Sequence, residues 1–451
     1  MGLRLAEALR LALPGQPVAS AVAFVGAGGK TTAMFQLARQ LPSPVIVTTT
    51  THLGAWQAGL ADQHVVAERT SDLPMPWPPG VTLVTGPQVP GDGSDAYERF
   101  SSPPAEALLW LHDISVAHNW PLLIEADGAH GKPLKAPAAR EPAIPPFVQL
   151  VTVLVGLTGL GKPLSPAYVQ RSEQFAALGD LPPGDAVTPE SLVRVLVNPL
   201  GGCKNIPGGA RRIALLNQAE DPAVQAQARG MAPGLLSAFD AVVIASLRSA
   251  TVHAVHEPVA GILLAAGGST RMGRPKPLLD WGGQPFVRAV AAAALQAGLK
   301  PVVVITGAAA DVSRAVDDLP VTVIHNAAWE MGQASSIRAG LQALPASAGG
   351  AVFLLADQPQ VTADVIRALL DRHAASLVPI VAPLVRMERR ANPVLFDRLV
   401  FPDLLALEGD IGGRAVFWKH RVEYVPWHDE RLLLDVDTEE DYRRLLGLDL
   451  P

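Results

Sequence analysis

At 451 residues the chain is longer than one hydrophobic core usually serves, so two domains are expected. Hydrophobic residues make up 49% and charged residues 17%, which excludes a disordered chain, and a net charge of -6 without a basic block excludes a nucleic-acid-coating role. Cys203 is the only cysteine, so neither an intrachain disulfide nor a cysteine-bound metal cluster can form, which fits the cytoplasm; no run approaches the roughly 18 apolar residues of a membrane span.

The N-terminal stretch "MGLRLAEALRLALPGQPVASAVAF" has the apolar content of a signal peptide, but Glu7 and Arg10 interrupt it and Pro14 and Pro17 follow. A short amphipathic helix is expected there. Short apolar runs then alternate with helical patterns, the arrangement of parallel strands joined by crossover helices. Strands are expected at 21–26, 44–49, 81–86, 121–126, 151–156, 213–217 and 241–246, and in a second series at 261–266, 301–306, 321–326, 351–356 and 422–427. Each series opens with a strand running into a glycine turn. Only "LRSATVHAVHEPVAG" separates them, too short for a flexible tether, which puts the domains at 1–257 and 258–451. Both are expected to be α/β, Rossmann-like units with mainly parallel sheets.

In the first series "AFVGAGGKTTAMFQLARQL" gives strand, glycine turn and helix, the layout of a phosphate-binding P-loop. The first glycine of GxxxxGK[ST] would fall at Phe24, so the plain pattern fails. Against the variant loop "KGGVGKTT", Gly26, Gly29, Lys30, Thr31 and Thr32 align, while Val25, Ala27 and Gly28 depart. Lys30 would meet the phosphates of ATP or GTP and Thr31 a magnesium ion; without a lysine at Val25, nucleotide binding is expected rather than vigorous hydrolysis. "PLLIEADGAHGKPLKAP" delivers Glu125 and Asp127 to a strand end, where a carboxylate would face the same site. The run Thr48–Thr51 offers hydroxyls at another strand end, or simply follows threonine's preference for strands. "LLNQAE" fails as a guanine-reading NKxD because of Gln218 and Glu220. His52 and His130 are ligand candidates or turn residues, and Cys203 suits a loop better than a catalytic thiol.

As a set, "GAGGKTT", "TTTTH", "EADGAHGKPLKAPAAREP", "GLTGLGKPL" and "NPLGGCKNIPGGARRIALLNQAE" resemble the YqeC-type family, named as accessory proteins of selenium-dependent molybdenum hydroxylases, over about residues 15–250. The resemblance implies a nucleotide-binding accessory domain with Lys30, Thr31 and Asp127 in its site and an apo molybdenum hydroxylase as partner. The loop residues Gly26, Gly28, Gly29 and Thr32 complete the candidate set.

The second series opens on "LAAGGSTRMGRPK", where Ala265, Ala266, Gly267, Gly268 and Gly273 let the main chain approach a triphosphate. Arg271 can fork onto phosphate oxygens and Lys276 can act as a point charge; alternatively the turn is ordinary and its basic residues solvated. "AVFLLADQP" sets Asp357 just past an apolar strand, a metal-ligand position at the same sheet edge. "LLLDVDTEEDY" places Asp435 and Asp437 two apart on an extended segment, hence on one side, before a helix capped by Thr438. With Asp357 they could hold magnesium; equally, Asp437 could belong to an acidic helix start. Ser335, Ser336 and Arg338 stand at a helix entry, where they could bind a phosphate or serve as a serine cap.

From Gly261 to about Leu446 the motifs "LAAGGSTRMGRPKPLL", "NAAWEMGQASSIRAGL", "LADQPQVT", "ANPVLF", "EGDIGGRAV" and "DVDTEEDY" resemble the molybdenum cofactor cytidylyltransferase (MocA-like) family of nucleotidyltransferases. The resemblance implies a nucleotidyltransferase fold and Mg²⁺-dependent transfer of CMP from CTP to molybdopterin-type molybdenum cofactor, with release of pyrophosphate. It implies catalytic roles for Arg271, Lys276 and Asp357, adds the pterin as a second possible ligand of Ser335, Ser336 and Arg338, and adds Asn392 to the site; Ala391 stands where the family usually has glycine. The alternatives are a guanylyl or sugar-phosphate nucleotidyltransferase, and a non-catalytic cofactor carrier or insertion chaperone. The partners expected for the cytidylyltransferase are nucleotide and pterin small molecules, with no nucleic acid and no membrane.

Overall fold

The computed structural model describes residues 2–11, 21–90, 98–128, 131–269 and 271–447; Pro14, Pro17 and His130 lie outside the described residues. The chain divides into two compact units, Met1–His256 and Glu257–Pro451.

In the first unit the strands are β1 (Ala21–Gly26), β2 (Val45–Thr49), β3 (Gln63–Val66), β4 (Val81–Thr85), β5 (Leu122–Glu125), β6 (Leu150–Gly156), β7 (Arg211–Asn217), β8 (Ala241–Ser246) and β9 (Thr251–His256), of which β3 and β9 are not among the expected apolar runs. One nine-stranded sheet results, in the order β9-β8-β7-β6-β1-β5-β2-β4-β3. Every neighbouring pair is parallel except β8 with β9. Helices α1 (Leu5–Ala8), α2 (Lys30–Ala38), α3 (Ala105–His118), α4 (Ser172–Gly179), α5 (Pro189–Val197) and α6 (Pro222–Leu235) accompany this sheet, with short two-residue strands such as Leu53–Gly54 and Arg99–Phe100 forming small separate sheets. β1, β2, β5 and β6 are buried at nearly every position because central parallel strands of such a fold are covered on both faces. α5 starts sharply because Thr188 accepts a hydrogen bond from Ser191 N at 3.2 Å and Pro189 presets the first turn. The stretch expected to connect the units is mostly strand: "TVHAVH" is the antiparallel edge β9, with Val252 and Ala254 buried while Thr251 faces out.

The second unit contains β10 (Val259–Ala265), β11 (Val302–Thr306), β12 (Thr322–His325), β13 (Gly350–Leu355), β14 (Ile380–Val385), β15 (Arg389–Arg390), β16 (Val394–Asp397) and β17 (Val422–Trp427). The sheet order is β12-β11-β10-β13-β16-β14-β15, with β17 parallel to β14. β10 to β13 run parallel to one another, and β16 runs antiparallel between β13 and β14. The helices are α7 (Phe286–Gln296), α8 (Gln333–Gln342), α9 (Ala363–Ser376), α10 (Phe401–Leu405) and α11 (Glu439–Leu445). Val290 and Leu369 belong to one buried apolar layer, and Ile337 and Phe396 to another, so the sheet carries two. In each unit the first strand, β1 or β10, delivers its glycine turn to the carboxyl edge of the sheet, the edge at which open α/β sheets bind ligands. Among the described residues no helix is long and apolar enough to cross a membrane.

Candidate functional site

In the first unit the loop after β1 is pressed against the neighbouring strand β6. A Cβ on Gly28, whose φ is +83°, would stand 2.3 Å from Gly156 N, so only glycine fits. α2 begins directly after this loop, with Gly29 at its cap position, and so points its unpaired main-chain N–H groups into a cleft of about 650 Å³. Gly28, Gly29, Lys30, Thr31 and Thr32 line that cleft together with Thr51, His52 and Glu125.

Behind the loop lies a buried charge network. Lys30 Nζ donates to Gly26 O at 2.9 Å and lies 3.2 Å from Asp127 Oδ1 and 3.8 Å from Glu125 Oε1. Asp127 Oδ2 accepts from Gly26 N at 2.9 Å and pairs with Lys135 Nζ at 2.7 Å. Lys135 in turn meets Glu141 at 2.8 Å, and Glu141 meets Arg171 at 3.0 Å. Glu125 Oε2 accepts from the Thr31 hydroxyl at 3.1 Å. Burial pushes the Glu125 carboxyl up, against the pull of Lys30 and with Asp127 adding to the rise. Burial would lower the Lys30 ammonium, but the charges of Asp127 and Glu125 outweigh it and hold it above its ordinary value.

Two expectations change. Asp127 sits behind the loop, engaged by Gly26, Lys30 and Lys135, whereas the carboxylate that reaches Thr31 and lines the cleft is Glu125. Of the threonine run, Thr48, Thr49 and Thr50 donate their hydroxyls to the main-chain carbonyls of Val84, Glu125 and Ala143, which leaves Thr51 at the cleft. Sequence reasoning passed over Lys135, although "GKPLKAP" contains it, and Asn217, whose amide bonds Gly28 O at 2.7 Å and Leu247 N at 2.9 Å and so fixes the back of the loop. Cys203 is half-buried with its thiol directed at Leu196 O, and burial pushes it up, as suits an inert loop residue.

In the second unit a cleft of about 660 Å³ opens at the carboxyl ends of β10 and β13. Ala265, Ala266, Gly267, Gly268, Lys276, Ser336 and Asp357 line it; Gly273, with Gly267 and Gly268, borders a smaller adjoining hollow of about 220 Å³. Lys276 is the hub. Its main-chain N donates to Ser269 Oγ at 3.0 Å, and its ammonium lies 3.8 Å from Asp357 Oδ2 and is ion-paired with Asp437. Arg271 Nη1 reaches the other oxygen of Asp437 at 3.1 Å, and Gln358 Nε2 donates to Asp435 at 2.5 Å. Burial pushes Asp357 up to about 6; Lys276 opposes the rise, and Asp435 and Asp437 add to it. Thus the glycine turn, the end of β13 and the segment before α11 converge on one edge.

Asp437 is the ion-pair partner of both basic residues, while Thr438 caps α11, accepting from Asp441 N at 3.2 Å. Ser335 and Ser336 do not cap α8: Gly332 holds that position, and both hydroxyls accept from Asn326 Nδ2, at 2.8 and 3.0 Å. Arg338 donates to Leu407 O at 2.8 Å. Asn392, half-buried just before β16, is not among the residues lining the cleft. Trp329, Gln333 and Asp410 do line it, and none was singled out from the sequence. Among the described residues no group of three or more His, Cys, Asp or Glu is placed to hold a metal ion.

The protein is thus built of two α/β units, each with a cleft at the carboxyl edge of a mainly parallel sheet. The family described as the YqeC protein matches residues 22–173, and that described as the MobA-like NTP transferase domain matches 261–424. The chain is 32% identical over 225 residues to YqeC of Escherichia coli (strain K12), covering 47% of this chain and 81% of that protein. It is 33% identical over 198 residues to the nicotine blue oxidoreductase of Paenarthrobacter nicotinovorans, covering 42% of this chain and 96% of that one. A crystal structure of Rv0371c from Mycobacterium tuberculosis H37Rv aligns at 33% identity and TM-score 0.38 over 42% of this chain and 98% of that chain. The chain belongs to the YqeC family through its first unit and carries a MobA-like NTP transferase domain as its second.

Proposed function

We propose that the second unit transfers CMP from CTP to the terminal phosphate of a molybdopterin-type molybdenum cofactor, releasing pyrophosphate. The observation that carries this reading is the meeting of Lys276 with Asp357 and Asp437 at the glycine turn. The turn Ala265–Gly268 would take the triphosphate against its main chain, Arg271 would hold the β/γ end, and Lys276 would stabilise the α-phosphate as charge builds on it. An oxygen of the pterin phosphate attacks the α-phosphorus in line; that O–P bond forms as the bond to the β-phosphate oxygen breaks, and pyrophosphate leaves with the electron pair. Arg271 and Lys276 neutralise the departing charge.

A magnesium ion takes oxygen ligands from one or two carboxylates and completes its shell with substrate phosphates and water, so a pair of these acids would suffice for it. Asp357 with Asp437 or Asp435 would hold it, and no third protein ligand is required. When bound, the ion supplies charge neutralisation at the reacting phosphates. In the first unit the loop Gly26–Thr32 would bind the phosphates of ATP or GTP through α2, Lys30 and Thr31 in the manner of a P-loop, with Glu125 at the magnesium position beside Thr31. A single chain with both activities raises their effective concentration, on the order of millimolar for a short connection, and so would couple cofactor synthesis to hydroxylase maturation.

The test is to incubate the protein and Mg²⁺ with molybdopterin cofactor and, separately, CTP, GTP, UTP or ATP, and to weigh the pterin product by mass spectrometry. Gain of one CMP, with CTP alone, is expected. Gain of GMP would make the unit a guanylyltransferase. Because one relative is named an oxidoreductase, a parallel arm follows NAD(P)H; its oxidation with no nucleotidyl product would overturn the transferase reading.

A further inference from the structure

The cleft of the first unit extends past the Lys30 loop to a wall that the phosphate reading leaves unexplained. Trp56 stands on the turn Ala55–Leu60, lines this wall and is 64% exposed. The turn is anchored by Ala55 N donating to Glu98 O at 2.9 Å and by the pairing of Gly54 with Arg99. Gly54 makes room for the indole: a Cβ there would lie 2.8 Å from Trp56 Nε1. Its neighbour Gln57 is only 8% exposed, lines the same cleft, and its amide Oε1 has no hydrogen-bond partner. Buried acceptors are nearly always paired, so an unpaired one on a residue that lines a cleft marks a place for a donor brought by a ligand. Lys132 and Arg99 add positive charge along this side.

We propose that Trp56 and Gln57 form a ring-binding subsite of the first unit. The indole stacks on a planar heteroaromatic ring, Gln57 Oε1 accepts a hydrogen bond from an N–H on the edge of that ring, and the phosphate tail of the same ligand lies on the Lys30 loop. The inference rests on the reading of that loop as a phosphate site. A purine nucleotide and a pterin phosphate share the required chemistry: a flat ring, a donor edge and a phosphate.

The experiment is calorimetric titration of the full chain with Mg²⁺ and, in separate arms, tripolyphosphate, ATP, GTP or a pterin monophosphate. Binding is assigned to the first unit as the component that Lys30→Ala removes. At least one ring-bearing ligand should bind roughly tenfold or more tightly than tripolyphosphate, the scale of one ring stacked on an aromatic side chain. Trp56→Ala should erase that gap and leave tripolyphosphate unchanged; Gln57→Leu should narrow it without lowering Tm, since it removes an unpaired buried acceptor. The arm that shows the gap identifies the source, nucleotide or pterin. If tripolyphosphate binds but no ring-bearing ligand gains, or the gap survives Trp56→Ala, the subsite is wrong. If no ligand shows a component that Lys30→Ala removes, the phosphate reading itself falls and the subsite with it.

Discussion

Lys276 lies with its ammonium 3.8 Å from Asp357 Oδ2 while also paired with Asp437, so one cation ties the end of a central strand to the C-terminal segment. The glycine turn of the second unit is thereby joined to both acids proposed to escort the triphosphate.

Asp357 is held at a cost to the fold. Burial pushes it up to about 6, with Lys276 opposing and Asp435 and Asp437 reinforcing the rise. A carboxyl raised above its unfolded value stabilises fully below the ordinary carboxylate range, and that contribution is lost as pH rises through about 6. Asp357→Asn should therefore stabilise the second unit at pH 7.5, by on the order of 1–3 kcal/mol, with the difference closing toward pH 4.5. Calorimetric scans at both pH values check this.

The same ionisation should shape the rate. If Asp357 acts as the anion, kcat/KM for CTP should climb as pH rises through about 6 and then level. Lys276→Gln removes the charge that holds the carboxyl down, so it should move the inflection upward and lower kcat on the order of 100-fold or more. A pH–rate profile of both proteins separates the two effects.

Most of this architecture was legible because buried parallel strands are short apolar runs with turn residues at their ends: "AVAFVG" and "AVFLLA" could hardly be anything else. β14 was not, because Pro383 interrupts "IVAPLV", and β9 was not, because its polar outward positions made it look like a connection. At the sites, the loop glycines, Lys30, Lys276 and Asp357 follow from local motifs. The exchange of roles between Glu125 and Asp127 does not, since two acids two residues apart leave a strand end together. The contacts of Asp127 with Gly26, Lys30 and Lys135 decide which faces the cleft.

That exchange predicts opposite responses. Asp127→Ala would leave Lys30 and Lys135 buried with one partner fewer and should destabilise the first unit by about 3–5 kcal/mol. Glu125→Gln replaces a carboxyl that burial already disfavours as an anion, so it should leave Tm nearly unchanged while weakening Mg²⁺-dependent nucleotide binding. Denaturant unfolding and titration of the two variants check both statements.

The two glycine turns should also separate. Gly28→Ala drives a methyl group into the main chain at Gly156 and should lower Tm and abolish binding at the first cleft together. A Cβ on Gly267 meets nothing within 4 Å, so Gly267→Ala should keep Tm and weaken only CTP binding, where the added methyl group crowds the phosphates. Thermal scans with and without ligand tell the two apart.

The most direct test of the account is pyrophosphate release from CTP, Mg²⁺ and molybdopterin cofactor by the unaltered protein and by Asp357→Asn. The account predicts release that requires both substrates and falls by at least about 100-fold in the variant. Release undiminished in Asp357→Asn, or none from the unaltered protein with any nucleotide, would contradict it.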